Sequence, residues 1–222
     1  MPPEWPDLRR LHAAVRIFST NARGSYAEFV SATQPFPDFS VRAHREALHC
    51  WLNRWGCRIR YPRPGEEQPF DQSISSWWSE HGGKLPPRSV RLTRLSDAHI
   101  DALADAFDGL RVRLAASHSG RRRTIGPTAA SKTLFAIRPT AVTAWDRSIA
   151  RFLYGSPSRE AFAAHLQKAR TCARALLLES ELTEDGLARE VEREGQPLSK
   201  LLDEYWYVTI SRTGRRERER HA

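Results

Sequence analysis

The segment Ser96–Leu114 constrains the fold most. Its apolar residues stand at Ile100, Leu103, Phe107, Leu110 and Leu114. That 3-4-3-4 spacing lines them up on one face of an α-helix and scatters them over both faces of a strand. Ser96 and Asp97 supply an N-terminal cap. A helix with one apolar stripe must bury it against similar elements, and the chain provides them. Leu8, Leu11, Val15 and Phe18 repeat the helical spacing, as do Leu48, Trp51, Leu52 and Trp55 after a cap at Ser40. Phe162, Leu166, Ala169, Ala173, Leu176 and Leu177 mark a long helix after Pro157. Shorter helices are expected at Tyr26–Val30, at Ile74–Trp78 behind Asp71, at Ile149–Leu153, at Leu187–Val191 behind the cap Thr183, and at Leu198–Tyr205. The expected class is all-α. Only Arg58–Tyr61 and Tyr205–Ile210 are rich enough in β-formers for a short strand to compete.

Pro86-Pro87 separates a first region, residues 1–95, from a second, residues 96–211. The Arg-rich tail at 212–222 has no apolar period and is expected to be disordered. A chain of 222 residues suffices for one substantial core or for two small lobes sharing a cleft. No apolar run reaches the roughly 20 residues that cross a bilayer, and Met1–Asp7 has no signal-peptide pattern. Cys50, Cys57 and Cys172 form an odd set without a CxxC, which argues against disulfides and a structural zinc. No cofactor or metal is expected, and the chain reads as a cytoplasmic monomer.

The formal charge is +9, from 35 Lys+Arg against 26 Asp+Glu. Such a surplus favours polyanions, nucleic acid first. Its densest point, Arg121-Arg122-Arg123, reads as a basic loop after a helix ended by His118-Ser119-Gly120. Thr124-Ile125-Gly126-Pro127 follows. Gly126 is free to take a positive φ, and Pro127 presets the first helical φ. The first-turn amides of Thr128 and Ala129 then make an anion site that holds phosphates without reading bases. Farther on, Trp145-Asp146-Arg147-Ser148 puts a carboxylate at the cap of the next helix. A carboxylate beside an indole is suited to steadying a developing sugar cation, and Asp146 is the candidate catalytic residue.

Thr124–Ala130 resembles the hairpin of the helix-hairpin-helix DNA glycosylases. Trp145-Asp146 resembles their catalytic aspartate at a helix start. The wider stretch Ala130-Ser131-Lys132-Thr133-Leu134-Phe135, Pro139 and Trp145-Asp146 is similar to bacterial proteins with an 8-oxoguanine-glycosylase-like fold. The resemblance covers about 30 residues. It implies a two-lobed helical protein that binds double-stranded DNA and flips a base into a pocket between the lobes, at the nucleoid. Arg121, Arg122, Arg123, Thr124, Gly126, Thr128, Ala129, Arg147 and Ser148 would contact the DNA. Asp146 would assist cleavage of the N-glycosidic bond, in host repair or in defence against modified phage DNA.

Two departures bear on the chemistry. Thr124 stands where the family's hairpin has its first glycine. Thr128 stands where strand-nicking members carry a lysine, and threonine forms no Schiff base. The first implies a wider or weaker hairpin, and the second favours a monofunctional, hydrolytic enzyme. Lys132, one turn farther on, is the nearest substitute nucleophile. Trp51, Trp55, Trp77, Trp78 and Trp145 are the candidates for a base pocket, since indoles stack on bases. His44, His49 and His81 are further candidates for base or phosphate contacts. A non-catalytic helix-hairpin-helix DNA-binding protein is the alternative.

Overall fold

The computed structural model describes residues 6–19, 25–63, 66, 69–118 and 121–213. The turns expected at Gly24, Gly65 and Ser119-Gly120, and all of the Arg-rich tail beyond Thr213, lie outside the described residues. The protein is mainly helical. Ten α-helices occur among the described residues: α1 (Leu8–Ser19), α2 (Ser25–Ala32), α3 (Arg42–Arg54), α4 (Pro69–His81), α5 (Asp97–Arg111), α6 (Gly126–Ile137), α7 (Arg147–Tyr154), α8 (Arg159–Ser180), α9 (Glu184–Glu190) and α10 (Leu198–Trp206). None of these helices is long and apolar enough to cross a membrane.

Local chemistry sets most of the boundaries. At α5, Ser96 accepts from the His99 amide while the His99 side chain returns to the Ser96 amide, a closed capping box. Thr183 and Ser158 cap α9 and α8 through Gly186 and Ala161. Pro157 therefore precedes the cap instead of opening the helix. Ser40 is not the cap of α3 either. Its hydroxyl donates to Asp38, and Val41 takes the cap position. Asp71 lies inside the first turn of α4, where its carboxylate receives both Nε and Nη2 of Arg45 at 2.7 and 3.1 Å.

The main departure from the expected pattern is between α5 and α6. The helix stops at Arg111. Leu114–His118 is a strand, β1, paired antiparallel with β2 (Arg121–Thr124). Leu114 thus leaves the helical stripe, and the three arginines stand on a strand instead of in a loop. β1 is held down on α4: Ala115 and Ala116 are buried, and Ser73 donates to the Leu114 carbonyl at 2.7 Å. Ile125 N–H donates to the Arg113 carbonyl at 2.8 Å and closes the base of the ribbon. Arg58–Tyr61 forms no strand, and Tyr205–Ile210 continues α10 into a π-helical turn over Tyr207–Arg212. Arg212 belongs to that turn and not to a free tail; it donates to the Ile17 carbonyl.

One apolar core runs through both sequence regions. α5 lies inside it with Ile100, Leu103, Ala104, Ala106, Phe107 and Leu110 buried, between α8 on one side and α6 and α4 on the other. α6 is enclosed almost all round and also meets α3. α1, from the first region, docks on α10 and on the π turn. The two ends of the described chain therefore close on each other, beside α6.

Candidate functional site

Nearly everything on α6 points into protein. Ala129, Ala130, Ser131, Thr133, Leu134, Phe135, Ala136 and Ile137 are buried, because α5 and α3 cover the helix on two sides. Thr128 and Lys132, one turn apart, share the remaining stripe and open onto a cavity of about 750 Å³. That size lies within the range of about 300–1,000 Å³ usual for small-molecule sites. Trp145, Asp146 and Ile149 supply a second wall from the start of α7. Trp55, Gly56 and Arg58 supply a third from the end of α3. Phe18, Asp203 and Tyr207 close it from α1, α10 and the π turn, with Glu28 and Arg54 at the margin.

Lys132 and Asp146 are held in relation to each other by Ser131. The buried Ser131 hydroxyl donates to the Trp145 carbonyl at 2.9 Å and accepts the Trp145 amide at 3.1 Å. One side chain on α6 thereby pins the residue before Asp146. Asp146 caps α7, one carboxylate oxygen accepting the Ile149 amide at 2.9 Å. No other hydrogen bond to its carboxylate is found among the described residues, so the second oxygen is available to a ligand. The Lys132 ammonium donates to the Trp55 carbonyl at 2.8 Å and lies 5.1 Å from the Trp55 ring centroid. Both groups are half-buried.

Gly126 takes φ +77°, and a Cβ there would meet no protein atom within 4 Å. Backbone conformation and not crowding requires glycine, and the space over the helix start is open. Arg121, Arg122, Arg123 and Thr124 are all exposed on β2, and Arg123 donates to the Arg58 carbonyl at 3.1 Å. Arg147 is exposed and Ser148 half-buried in the first turn of α7. Ala129 is buried, which leaves its backbone as its only means of contact.

Of the five tryptophans expected in a pocket, the structure brings two to the cavity, Trp55 and Trp145. Trp145 is 1% exposed, and its ring packs among Phe107, Phe162, Tyr154 and His165. It forms the floor under Asp146 and is not a free stacking surface. Trp51 is core, against Tyr26 and Phe29. Trp77 is buried and donates its indole N–H to the Ala106 carbonyl at 2.8 Å. Trp78 is half-buried, against Phe39, and donates to Asp38 at 2.9 Å. In a protein of this size the need to fill the core takes these three indoles. The histidines are also structural. His44 accepts the Asp38 amide, His49 stacks on Tyr61 and Phe70, and His81 stacks on Trp77.

Several groups at the site have no local sequence signal. Lys200, on α10, is 8% exposed. It places its ammonium 4.8 Å from the Trp55 ring and 4.6 Å from the Phe18 ring, with Asp203 at 2.6 Å. Glu204 behind it is fully buried. Burial pushes its carboxyl up to about 7, against the pull of Lys200 and Arg193. His165, sealed beneath Trp145 and Trp206, is driven down to about 3 by burial and stays neutral. Chemically, the cavity offers an ammonium, a capping carboxylate and an aromatic wall on one side, with acidic groups at Asp203 and Glu28. Backbone amides and arginines stand at its edge. Comparison of the chain with protein-family models, with curated proteins and with solved structures finds no match.

Proposed function

We propose that the cavity receives a base turned out of double-stranded DNA, and that the chain is a DNA N-glycosylase of the helix-hairpin-helix kind. The observation that carries this is the sharing of one cavity by Asp146, Lys132 and the open start of α6. In this reading α5 and α6 are the two helices of the motif, and the β1–β2 ribbon lengthens their connection. The amides behind Gly126 grip a phosphate. The base enters against Trp55 and the sugar lies over Asp146. As the C1′–N bond breaks, the electron pair leaves with the base. The carboxylate stabilises the cationic sugar, and water adds at C1′ to leave an abasic site. The enzyme acts as a monomer at the nucleoid. Its substrate is a damaged or modified base, in repair of the host genome or in defence against modified phage DNA.

A second version of the chemistry replaces water by the Lys132 amine, which would bond to C1′ and open the way to strand nicking. The position of Lys132 on the same cavity as Asp146 favours it. The bond from Lys132 to the Trp55 carbonyl, together with Thr128 at the hairpin's usual lysine position, favours the hydrolytic version. Borohydride separates them: a trapped protein–DNA adduct, lost in Lys132→Ala, establishes the amine route.

The activity is tested by incubating the protein with duplex oligonucleotides carrying oxidised, alkylated or bulky modified bases and assaying alkali-labile sites. Equal yields from wild type and Asp146→Asn would sink the role given to Asp146. An Asp146 on an exposed face with no adjoining pocket would favour the non-catalytic alternative. The half-buried position of Asp146 on a cavity wall counts against it.

A further inference from the structure

We infer that the β1–β2 ribbon is a two-faced duplex clamp: Arg121 and Arg123 hold the strand whose base enters the cavity, and Arg122 holds the opposite strand. The inference rests on the DNA-binding reading above and adds a division of labour to it.

Three observations carry it. First, the backbone of the ribbon is anchored along β1, and β2 is tied to the rest of the protein through the Arg123–Arg58 bond. β1 is fixed to α4 through Ala115, Ala116 and the Ser73–Leu114 bond, while β2 pairs only with β1 and is exposed at all four residues. The ribbon therefore presents β2 edge-first to a partner. Second, side chains alternate along a strand, so Arg121 and Arg123 share one face and Arg122 takes the other. The register agrees, with Arg123 opposite the buried Ala116 and Arg122 opposite the exposed Ser117. Third, one of the two faces is turned toward the cavity. The Arg123 guanidinium donates to the Arg58 carbonyl, and Arg58 lines the cavity. Among the described residues no carboxylate pairs with any of the three arginines.

A two-stranded ribbon fits the major groove of a duplex. A ribbon entering edge-first turns its two faces to the two groove walls, and those walls are the phosphates of different strands. The face on the Arg58 side lies with the cavity and so with the strand that surrenders its base. The Arg122 face lies with its complement. A ribbon arginine reading phosphates adds affinity without sequence preference.

The test measures binding of an unmodified, fluorescein-labelled oligonucleotide by anisotropy, single-stranded and as a duplex, across a salt series. Arg121→Ala and Arg123→Ala are expected to weaken both forms by a similar factor, on the order of fivefold at moderate salt, and to lower the salt slope by about 0.9 on duplex and about 0.7 on single strands. Arg122→Ala is expected to weaken the duplex by the same order and leave the single strand unchanged, with Arg122→Lys restoring the duplex. Equal loss on both forms in Arg122→Ala overturns the division of faces. No loss on either form overturns it too, and assigns Arg122 to guarding an open strand edge. Wild-type protein that binds neither form at low salt removes the DNA-binding reading itself, an outcome separate from the other two.

Discussion

The seam between α5 and α8 and the rim of the cavity are both rich in arginine, and they use it in opposite ways. On α5 and α8 three guanidiniums meet carboxylates, while Arg174 donates to the Thr93 carbonyl. Arg159 meets Asp105 at 2.6 Å and Asp101 at 3.4 Å, Arg170 meets Asp97 at 2.8 Å, and Arg111 meets Asp108 at 2.6 Å. Of the two arginines that line the cavity, Arg54 pairs with Glu28, and Arg58 has no carboxylate partner among the described residues; nor have Arg121, Arg122 and Arg123 on β2, or Arg147 and Arg151 on α7. The unpaired arginines of β2 and α7 thus stand on the elements that lead into the start of α6 and into the wall at Asp146. This placement, which net charge alone does not give, supports the polyanionic partner proposed above.

The comparison breaks most sharply at Asp146. Asp146→Asn keeps a residue able to cap α7 and is expected to lower base release by about 10²- to 10³-fold, as for loss of one preorganised transition-state contact. Thermal unfolding should be almost unchanged. A large drop in melting temperature alongside the lost activity would make Asp146 a scaffold residue like those of the seam.

Ser131→Ala comes next. It removes the side chain that both donates to and accepts from the Trp145 backbone, and leaves those groups buried. The expected loss is about 1–3 kcal/mol of stability, readable by denaturant unfolding. Catalysis should fall at temperatures where the variant is still folded, because Asp146 is no longer pinned to the helix of Lys132. Activity that tracked the folded fraction alone would reduce Ser131 to a packing role.

Glu204 gives a pH signature to the scaffold behind the cavity. Its carboxyl, at about 7 in the folded protein against an ordinary 4.5, binds more protons folded than unfolded between those values. Its contribution to stability is therefore lost as pH rises from about 4.5 to 7, and is level above that. The neutral, buried His165 pulls the other way over most of the same window, so the readout is the difference: the melting temperature of the wild type minus that of Glu204→Gln should fall as pH rises from about 4.5 to 7.

The smallest effects contrast the two sets of arginines directly. Arg159→Ala and Arg170→Ala should each cost about 0–1 kcal/mol of stability and leave DNA affinity alone. Arg121→Ala should do the reverse. Matching effects from both sets would dissolve the distinction between seam and rim.

Much of the scaffold was legible in the chain, and for a definite reason. Helix stripes, the caps at Ser96 and Thr183, and the stops at Gly56 and Gly155 rest on residues within a turn or two of one another. The ribbon was not legible. Arg121–Thr124 is exposed throughout and has no alternation to read, while Ala115 and Ala116 are buried beside α4, far back in the sequence. The tryptophans show the same limit. Trp51, Trp77 and Trp78 look as fit for a pocket as Trp55 until neighbouring helices claim their rings. Lys132 gained from the structure. Counting from Gly126 put Thr128 at the nucleophile's place, yet one helical turn carries both residues to the same opening.

The contact between Phe18 and Tyr207, with ring centroids 5.5 Å apart, has a meaning for biosynthesis. Both residues belong to the wall of the cavity, one from α1 and one from the turn after α10. A growing chain that has already made Gly126, Lys132 and Asp146 still has an open trough in place of a chamber. The chamber forms only when residues of the last helices leave the ribosome and fold back onto α1. On the proposed reading, a fragment cut short before Tyr207 would keep Arg121, Arg122 and Arg123 but lack part of the cavity wall.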